Sequence, residues 1–311
     1  MSRRKKRFFI SAVALLLLLY CAGGVAGGVL LAELQLRPPR RAILHRDQTA
    51  QIVRDFYQGQ LQDVSVTAAD GMVLRGWYVI PRQNNGSAVI LAHGVSDNRE
   101  GIAGFARLFL DRGYRVLLPD ARAHGTSGGD LATYGLRESD DIHRWADWLY
   151  ADKAHCIYGF GESMGSALLL QSLARESRFC AMIVESPFSR FEDVAYERAS
   201  AYIGMPSWFG KTIERPVVDF ALWYTRRKYG LDFRQANPAD AVAKTKVPLL
   251  LIGDKNDINI LPHHVLDLHR VNPRAEVWMV EGAVHGGAWG TDPDEFNRRV
   301  TSFFASHTSA P

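Results

Sequence analysis

The chain has almost no surplus charge where a nucleic-acid binder would need it. Its 37 Lys and Arg outnumber its 33 Asp and Glu, but Arg3, Arg4, Lys5, Lys6 and Arg7 supply five of those positives with no acid among them. The remaining 32 basic residues face 33 acidic ones, so no basic face spreads over a folded body and no nucleic-acid partner is expected. A phosphate-cradling loop is missing as well: the glycines at 125–129 lack the following Lys-Ser/Thr of a P-loop. His263, His264 and His269 lack the acidic partners of a metal site, so neither a metal nor any other cofactor is expected. There is no internal repeat and no low-complexity tract. Ordinary composition over 311 residues, 47% of them hydrophobic, excludes disorder and fibrous architecture and suffices to bury one large core.

Charge is also absent from residues 8–32, directly after the basic cluster. At about 1.5 Å per residue this run crosses a hydrocarbon core of about 30 Å as a helix. A cleaved signal peptide has a shorter apolar region of about 7–15 residues, so the length favours a retained anchor. Ala22, Gly23, Ala26 and Gly27 still offer small residues for cleavage, and that alternative stays open. Bulky Tyr20 just before Cys21 speaks against an acylated lipoprotein cysteine. The pairs Gly23/Gly27 and Gly24/Gly28 have the spacing that lets two helices approach, but glycine is simply common in membrane helices. The five N-terminal basics outweigh Arg37, Arg40, Arg41 and Arg46 on the far side, which predicts a cytoplasmic N-terminus and a body outside the cytoplasm.

Pro38 and Pro39 end the anchor, and residues 42–57 have loose helical spacing, giving a linker or juxtamembrane helix over 37–62. From Asp63 the pattern turns to strands: Val64 and Val66 alternate, Asp70-Gly71 marks a hairpin turn, and 73–80 returns. Short apolar runs follow at 88–92, 116–118, 156–160, 182–185, 249–252 and 277–280, separated by helical segments. Such alternation predicts an α/β fold with a mostly parallel sheet covered on both faces. Residues 189–236 are too long for a plain loop and rich in aromatics, among them Phe191, Tyr196, Trp208, Phe209 and Trp223. They are read as a helical cap over the carboxyl edge of the sheet.

Gly161-Glu162-Ser163-Met164-Gly165 follows one predicted strand and opens a helical run. A G-x-S-x-G elbow needs that strand–turn–helix setting, which lifts the hydroxyl out of the sheet and places it at a helix N-terminus. Ser163 is therefore the candidate nucleophile, and a serine hydroxyl requires a base. His285, beyond the last strand, is the candidate base. The acid that orients it belongs after 249–252, where Gly253-Asp254-Lys255-Asn256-Asp257 offers Asp257, with Asp254 as the alternate. An oxyanion needs two backbone donors, for which Met164 N–H and Val95 N–H, after His93-Gly94, are the candidates. His93 is expected to hold that loop rather than to act as base. Glu138, Asp140 and Asp141 open a helix and complement its dipole.

Taken together, His93-Gly94, the run Asp120-Ala121-Arg122-Ala123-His124-Gly125-Thr126-Ser127, the Ser163 elbow, Asp257 and His285 resemble the α/β-hydrolase superfamily from about residue 63 to 304. The likeness is strongest to membrane-anchored serine hydrolases of the serine aminopeptidase and prolyl oligopeptidase-like group. Asn259, Ile260 and Pro262 resemble what often follows the acid in this fold, whereas an extra residue between Gly253 and Asp257 keeps Asp254 in play. The resemblance implies that 120–127 is a structural loop beside the site, and that the strands beginning at Cys156 and Cys180 are neighbours. Those two thiols are then close enough to pair, with buried free thiols the favoured alternative.

The function expected is hydrolysis of a carboxylic ester or thioester through an acyl-enzyme, with a small-molecule or lipid-derived acyl substrate and the membrane reached through the N-terminal helix. A peptidase or amidase with the same triad, and a non-catalytic binding protein on this fold, are the alternatives. Dehalogenase and epoxide-hydrolase chemistry is disfavoured, since those members use an aspartate where this chain has Ser163.

Overall fold

A computed structural model describes residues 3–310. The chain forms two compact units, Met1–Leu36 with Glu192–Arg234, and Arg37–Phe191 with Gln235–Pro311.

The larger unit is built on eight strands: β1 (Gln60–Thr67), β2 (Val73–Ile80), β3 (Ala88–Ala92), β4 (Arg115–Pro119), β5 (Ile157–Glu162), β6 (Phe179–Glu185), β7 (Leu249–Asp254) and β8 (Glu276–Val280). Their order across the sheet is β1-β2-β4-β3-β5-β6-β7-β8. β1 and β2 form the expected antiparallel hairpin, Thr67 opposite Val73, and β2 is antiparallel to β4; every other pairing is parallel. β1 starts at Gln60, three residues before the alternation becomes visible, because an edge strand pairs through its backbone whatever its side chains. The helix expected within residues 42–57 is in contrast shorter, Arg46–Tyr57, since the Leu44 and His45 amides donate to Glu100 instead of entering a helix.

The central strands carry apolar residues on both faces. On one side Leu91, Val116, Leu118, Phe160, Ile183 and Ile252 pack with Phe105, Phe109, Phe296 and Phe304. On the other, Ile90, Leu117, Ile157, Met182 and Leu251 pack with Ile142, Trp145, Leu169 and Val265. That two-sided burial is why these strands read as continuous apolar runs rather than alternating ones. Removing a ring such as Phe160, which is fully buried, costs about 3–5 kcal/mol by cavity formation.

β3 has β4 on one side and β5 on the other, so successive connections leave it in opposite directions. A crevice opens at the carboxyl ends of strands at such a switch point. The loops after β3, β5, β7 and β8 all emerge at that edge. The structural loop at 120–127 is fixed there by buried charge: Asp120 accepts from the Arg99 guanidinium (2.6 Å), the Arg99 amide (2.9 Å) and the Thr126 amide (2.7 Å). Asp141 and Glu138 do more than complement a helix dipole. Asp141 takes both arms of Arg122, and Glu138 gathers the amides of Thr133 and Gly135.

The smaller unit joins the N-terminal helix Arg3–Leu36 to the 189–236 insertion, which is helical over Phe191–Tyr202, Ser207–Gly210 and Arg215–Tyr229. The N-terminal helix is long and apolar enough to cross a membrane. The compact partner of the insertion is this helix, a pairing too distant in sequence to be read from either segment. Gly24, Gly28, Ala32 and Leu36 form the buried stripe of the helix. A Cβ on Gly28 would stand 2.7 Å from the Val217 carbonyl oxygen, and one on Gly24 would stand 3.7 Å from the Pro216 Cβ. One of the two small-residue pairs therefore has a specific partner within the chain.

The structure pairs Cys156 and Cys180 as a disulfide, with Cα atoms 5.8 Å apart, against the expectation of free thiols. They sit where β5 and β6 begin to pair, Ile157 opposite Phe179. The sequence separation is 24, for which loop-closure entropy predicts roughly 3 kcal/mol of stabilisation. Non-reducing peptide mapping should recover one cross-linked Cys156–Cys180 peptide, and Cys180→Ser should lower urea-unfolding stability by about 2–3 kcal/mol. Recovery of both thiols alkylated would remove the pairing.

Candidate active site

Ser163 occupies a turn that few side chains adopt, with φ 54° and ψ −119°. Such backbone costs on the order of 1–3 kcal/mol and persists only where its surroundings enforce it. Two close approaches do so here. A Cβ on Gly161 would lie 2.8 Å from the Gly165 carbonyl carbon, and one on Gly165 would lie 2.0 Å from the Ala92 carbonyl oxygen. Both glycines are thus demanded by packing, the second by the end of β3. Ser166 Oγ ties the turn to the sheet by donating to the carbonyls of Gly161 (2.6 Å) and Glu185 (2.7 Å).

The three residues expected for catalysis meet at this turn. Ser163 Oγ and His285 Nε2 are 2.8 Å apart, and His285 Nδ1 lies 2.6 Å from Asp257 Oδ2. With Nδ1–H donated to the carboxylate, Nε2 is left to accept from the hydroxyl. Asp257 is buried, and its other oxygen accepts from the amides of Asn259 (2.7 Å) and Ile260 (2.9 Å). These donors fix the carboxylate toward the ring. That is also the physical use of the residues after Asp257.

Met164 begins the helix Met164–Ser172 immediately after Ser163. Val95 follows Gly94, whose added Cβ would come within 3.6 Å of the Ser163 Cβ, so the 93–95 loop runs alongside the hydroxyl. His93 holds that loop. Its Nε2 accepts from the Ala121 amide at 3.0 Å, which leaves Nδ1–H to donate to the Gly94 carbonyl at 2.7 Å. His124 repeats the arrangement one residue on, accepting from the Ser96 amide at 3.2 Å and donating to the Arg122 carbonyl at 2.9 Å. Burial lowers both imidazoles, His124 to about 4, so both rings stay neutral and serve as acceptors at neutral pH.

Asp254, the alternate acid, lies elsewhere. Its Oδ2 accepts from Ser186 Oγ (2.6 Å) and from the Gly286 amide (2.9 Å), one residue past His285. Glu185, at the end of β6, accepts from the Ala288 amide at 2.9 Å. Glu162 presses on the same loop: a Cβ on Gly286 would meet its Oε1 at 2.3 Å. Three carboxyls therefore brace residues 286–288 behind His285. Sequence reasoning missed Glu185 and Glu162 in this role. The signal available was an acid closing an otherwise apolar strand, which has no reason to be buried unless it holds something. Burial raises all three, and Glu185 is pushed up to about 8, with the neighbouring Asp254 charge adding to the effect.

A second polar cluster, His143, Asp147 and Glu176, has the atoms of a small metal site. Arg178 already occupies it, donating to Asp147 at 2.6 Å and to Glu176, so the carboxylates are neutralised by protein.

A model of the alpha/beta hydrolase family matches residues 89–299. YqkD of Bacillus subtilis, an uncharacterized protein, is 27% identical over 263 residues, covering 83% of this chain and 83% of its own. The esterase Pf2001 of Pyrococcus furiosus matches with a TM-score of 0.69 at 24% identity, over 88% of this chain and 99% of that one. An acylaminoacyl peptidase of Pyrococcus horikoshii matches at 0.62 and 20% identity, over 84% of this chain and 43% of that one. At such identities the solved structures bear on the fold alone.

The buried carboxyl at Glu185 sets a sign for stability against pH. Its value in the fold, about 8, stands above its ordinary 4.5, so between these limits the folded state holds the extra proton and stability falls as pH rises. Glu185→Gln cannot ionise. Its urea midpoint should gain on the wild type steadily from pH 5 to about pH 8 and level off above. A constant difference across that range would mean that Glu185 is satisfied as a charge.

Proposed function

The chain belongs to the alpha/beta hydrolase family, and from that premise we propose that it is a serine hydrolase cleaving a carboxylic ester or thioester through an acyl-enzyme. The observation that carries this reading is the unbroken line Ser163 Oγ–His285 Nε2 at 2.8 Å and His285 Nδ1–Asp257 Oδ2 at 2.6 Å. Ser163 Oγ attacks the carbonyl carbon as its proton passes to His285 Nε2. The carbonyl π pair moves onto oxygen, where the Met164 and Val95 amides receive it. Each such donor is worth about 10²–10³ in rate. As the intermediate collapses, His285 returns the proton to the departing alkoxide or thiolate, leaving Ser163 acylated. Water, deprotonated by His285, then attacks the acyl carbon and regenerates Ser163. Throughout, Asp257 fixes the imidazole tautomer and stabilises the imidazolium.

The N-terminal helix is proposed as a retained anchor with its N-terminus in the cytoplasm and the catalytic unit outside. Two features support the orientation: the basic cluster at 3–7 and a disulfide in the catalytic unit, since disulfides persist in oxidising compartments. Tethering suits an acyl substrate of lipid origin.

Covalent labelling of the full-length protein by a fluorophosphonate tests the chemistry. The wild type should label, and Ser163→Ala and His285→Ala should not. Asp257→Asn should slow labelling by about 10⁴ through the wrong tautomer. Asp254→Asn, which keeps an acceptor for Gly286, should slow it less than tenfold. Equal losses at 254 and 257 would dissolve the assignment of the acid. A folded wild type that does not label would favour the non-catalytic reading. In labelling protein, faster turnover of amides than of matched esters would favour the peptidase.

A further inference from the structure

The insertion helix Arg215–Tyr229 lies along the second half of the N-terminal helix in a defined register. Tyr20 Oη donates to the Ile213 carbonyl at 2.5 Å, Gly24 faces Pro216, and Gly28 faces Val217, Phe220 and Ala221. Higher up, Glu33 accepts from Tyr224 (2.7 Å), Lys228 (2.9 Å) and Tyr229 (2.6 Å). The two helices therefore run in the same direction, and each level of one identifies a level of the other.

That register fixes a depth once the N-terminal helix is taken to span the bilayer, the reading on which this inference rests. The uncharged run of residues 8–32 is roughly 37 Å long at 1.5 Å per residue, longer than a core of about 30 Å. Measured from Phe8, the core ends near residue 27. Tyr20 then lies about 10 Å below that boundary, and Ile213 lies with it. Gly28 and its partners stand at the boundary, Glu33 and Lys228 in the headgroup layer.

The side chains brought to these levels match their surroundings. Ile213 is 51% exposed, and Trp208, one turn before Thr212, is 57% exposed. Trp223, between the levels of Gly28 and Glu33, is 53% exposed. Among the described residues these are the two exposed tryptophans, and both belong to the insertion. Trp is the residue enriched at membrane interfaces. Arg226, Arg227 and Lys228 close the helix at headgroup height, where anionic lipid attracts them. The charges nearest the core have partners or are held neutral. Lys211, within the turn itself, pairs with Glu197 at 3.1 Å, Arg215 pairs with Asp219 one turn above at 3.2 Å, and burial raises the Glu214 carboxyl toward its neutral form. The Tyr202 phenol accepts from Gln35 at 2.8 Å, which keeps the end of the first insertion helix above the boundary.

We propose that the insertion is a second membrane element: its Trp208–Ile213 turn and the start of the Arg215–Tyr229 helix enter the outer leaflet beside the anchor, to monotopic rather than spanning depth.

Site-directed spin labelling of the full chain in vesicles of phosphatidylcholine and phosphatidylglycerol tests this. Single cysteines replace Leu17, Asp55, Trp208 or Ile213 in a Cys21→Ser background, and retained fluorophosphonate labelling or an unchanged unfolding midpoint shows each variant folded. Labels at 208 and 213 should be several-fold less accessible to an aqueous nickel chelate than the label at 55, and more accessible to oxygen, as the label at 17 is. If 17 reports lipid while 208 and 213 report water, the insertion is not a membrane element and the anchor stands. If 17 itself reports water, the anchor reading fails and takes this proposal with it.

Discussion

The catalytic arrangement hangs on one close approach, that of Gly165 to the end of β3. Only a residue without a side chain lets the first turn of the elbow helix stand over Ala92, where a Cβ would lie 2.0 Å from the carbonyl oxygen. The rest follows from that contact. It draws the helix N-terminus against the loop that leaves β3, so that loop runs beside Ser163, where a Cβ on Gly94 would come within 3.6 Å of the Ser163 Cβ. It also leaves Ser163 no conformation but the strained one at φ 54°. Because β3 lies between β4 and β5, the loop and the elbow emerge side by side at the switch point of the sheet. Sheet order and backbone strain are two consequences of one packing requirement.

Carboxyls crowd this edge, and their surroundings divide the work among them. Asp257 faces the imidazole on one oxygen and two amides on the other, so every side of it is partnered. Glu185 has a single amide for one oxygen and no partner for the other, in full burial, and is held toward the neutral form. Asp254 lies between these extremes: it accepts from Gly286 and Ser186 while its second oxygen is unpartnered. Like charges cannot all be kept in so small a volume, so protonating one acid relieves the repulsion among them. The loop bearing His285 is thus held by backbone donors on acids that do not themselves touch the ring.

Much of this was legible in the sequence because it is written locally. The apolar runs at 88–92 and 249–252 needed only their own composition to be read as buried strands. Ser163 needed only its flanking glycines and the strand before them. The sequence prefers Asp257 but keeps Asp254 as the alternate, since both stand within four residues at the end of the same strand. Which of them lies against His285 depends on the side of the loop each faces, a property of the turn at 254–257 and its contact with 283–286 rather than of composition. The pairing of Cys156 with Cys180 required the neighbouring strands to be in register at their first residues. Glu185 was read as the end of a strand because nothing local says that Ala288 will offer it an amide from 103 residues away.

The two glycine stripes of the N-terminal helix show the same limit from the other side. Gly23/Gly27 and Gly24/Gly28 have identical spacing, yet only the second pair lies on the buried face; nothing stands within 4 Å of a Cβ on Gly23. Small residues state that something approaches closely and say nothing of what. At Gly165 the visitor is a strand end carried there by the sheet; at Gly28 it is the Val217 carbonyl of a helix nearly two hundred residues away. Neighbouring polar groups specify the partner in each case: Ser166 bonded to the Gly161 and Glu185 carbonyls at the elbow, and Tyr20 and Glu33 bonded to Ile213 and Lys228 along the helix pair. Along the helices these bonds also fix the register, which apolar packing between two smooth faces leaves free to slide. Two such bonds, thirteen residues apart on the anchor, turn a permissive stripe into a specific joint.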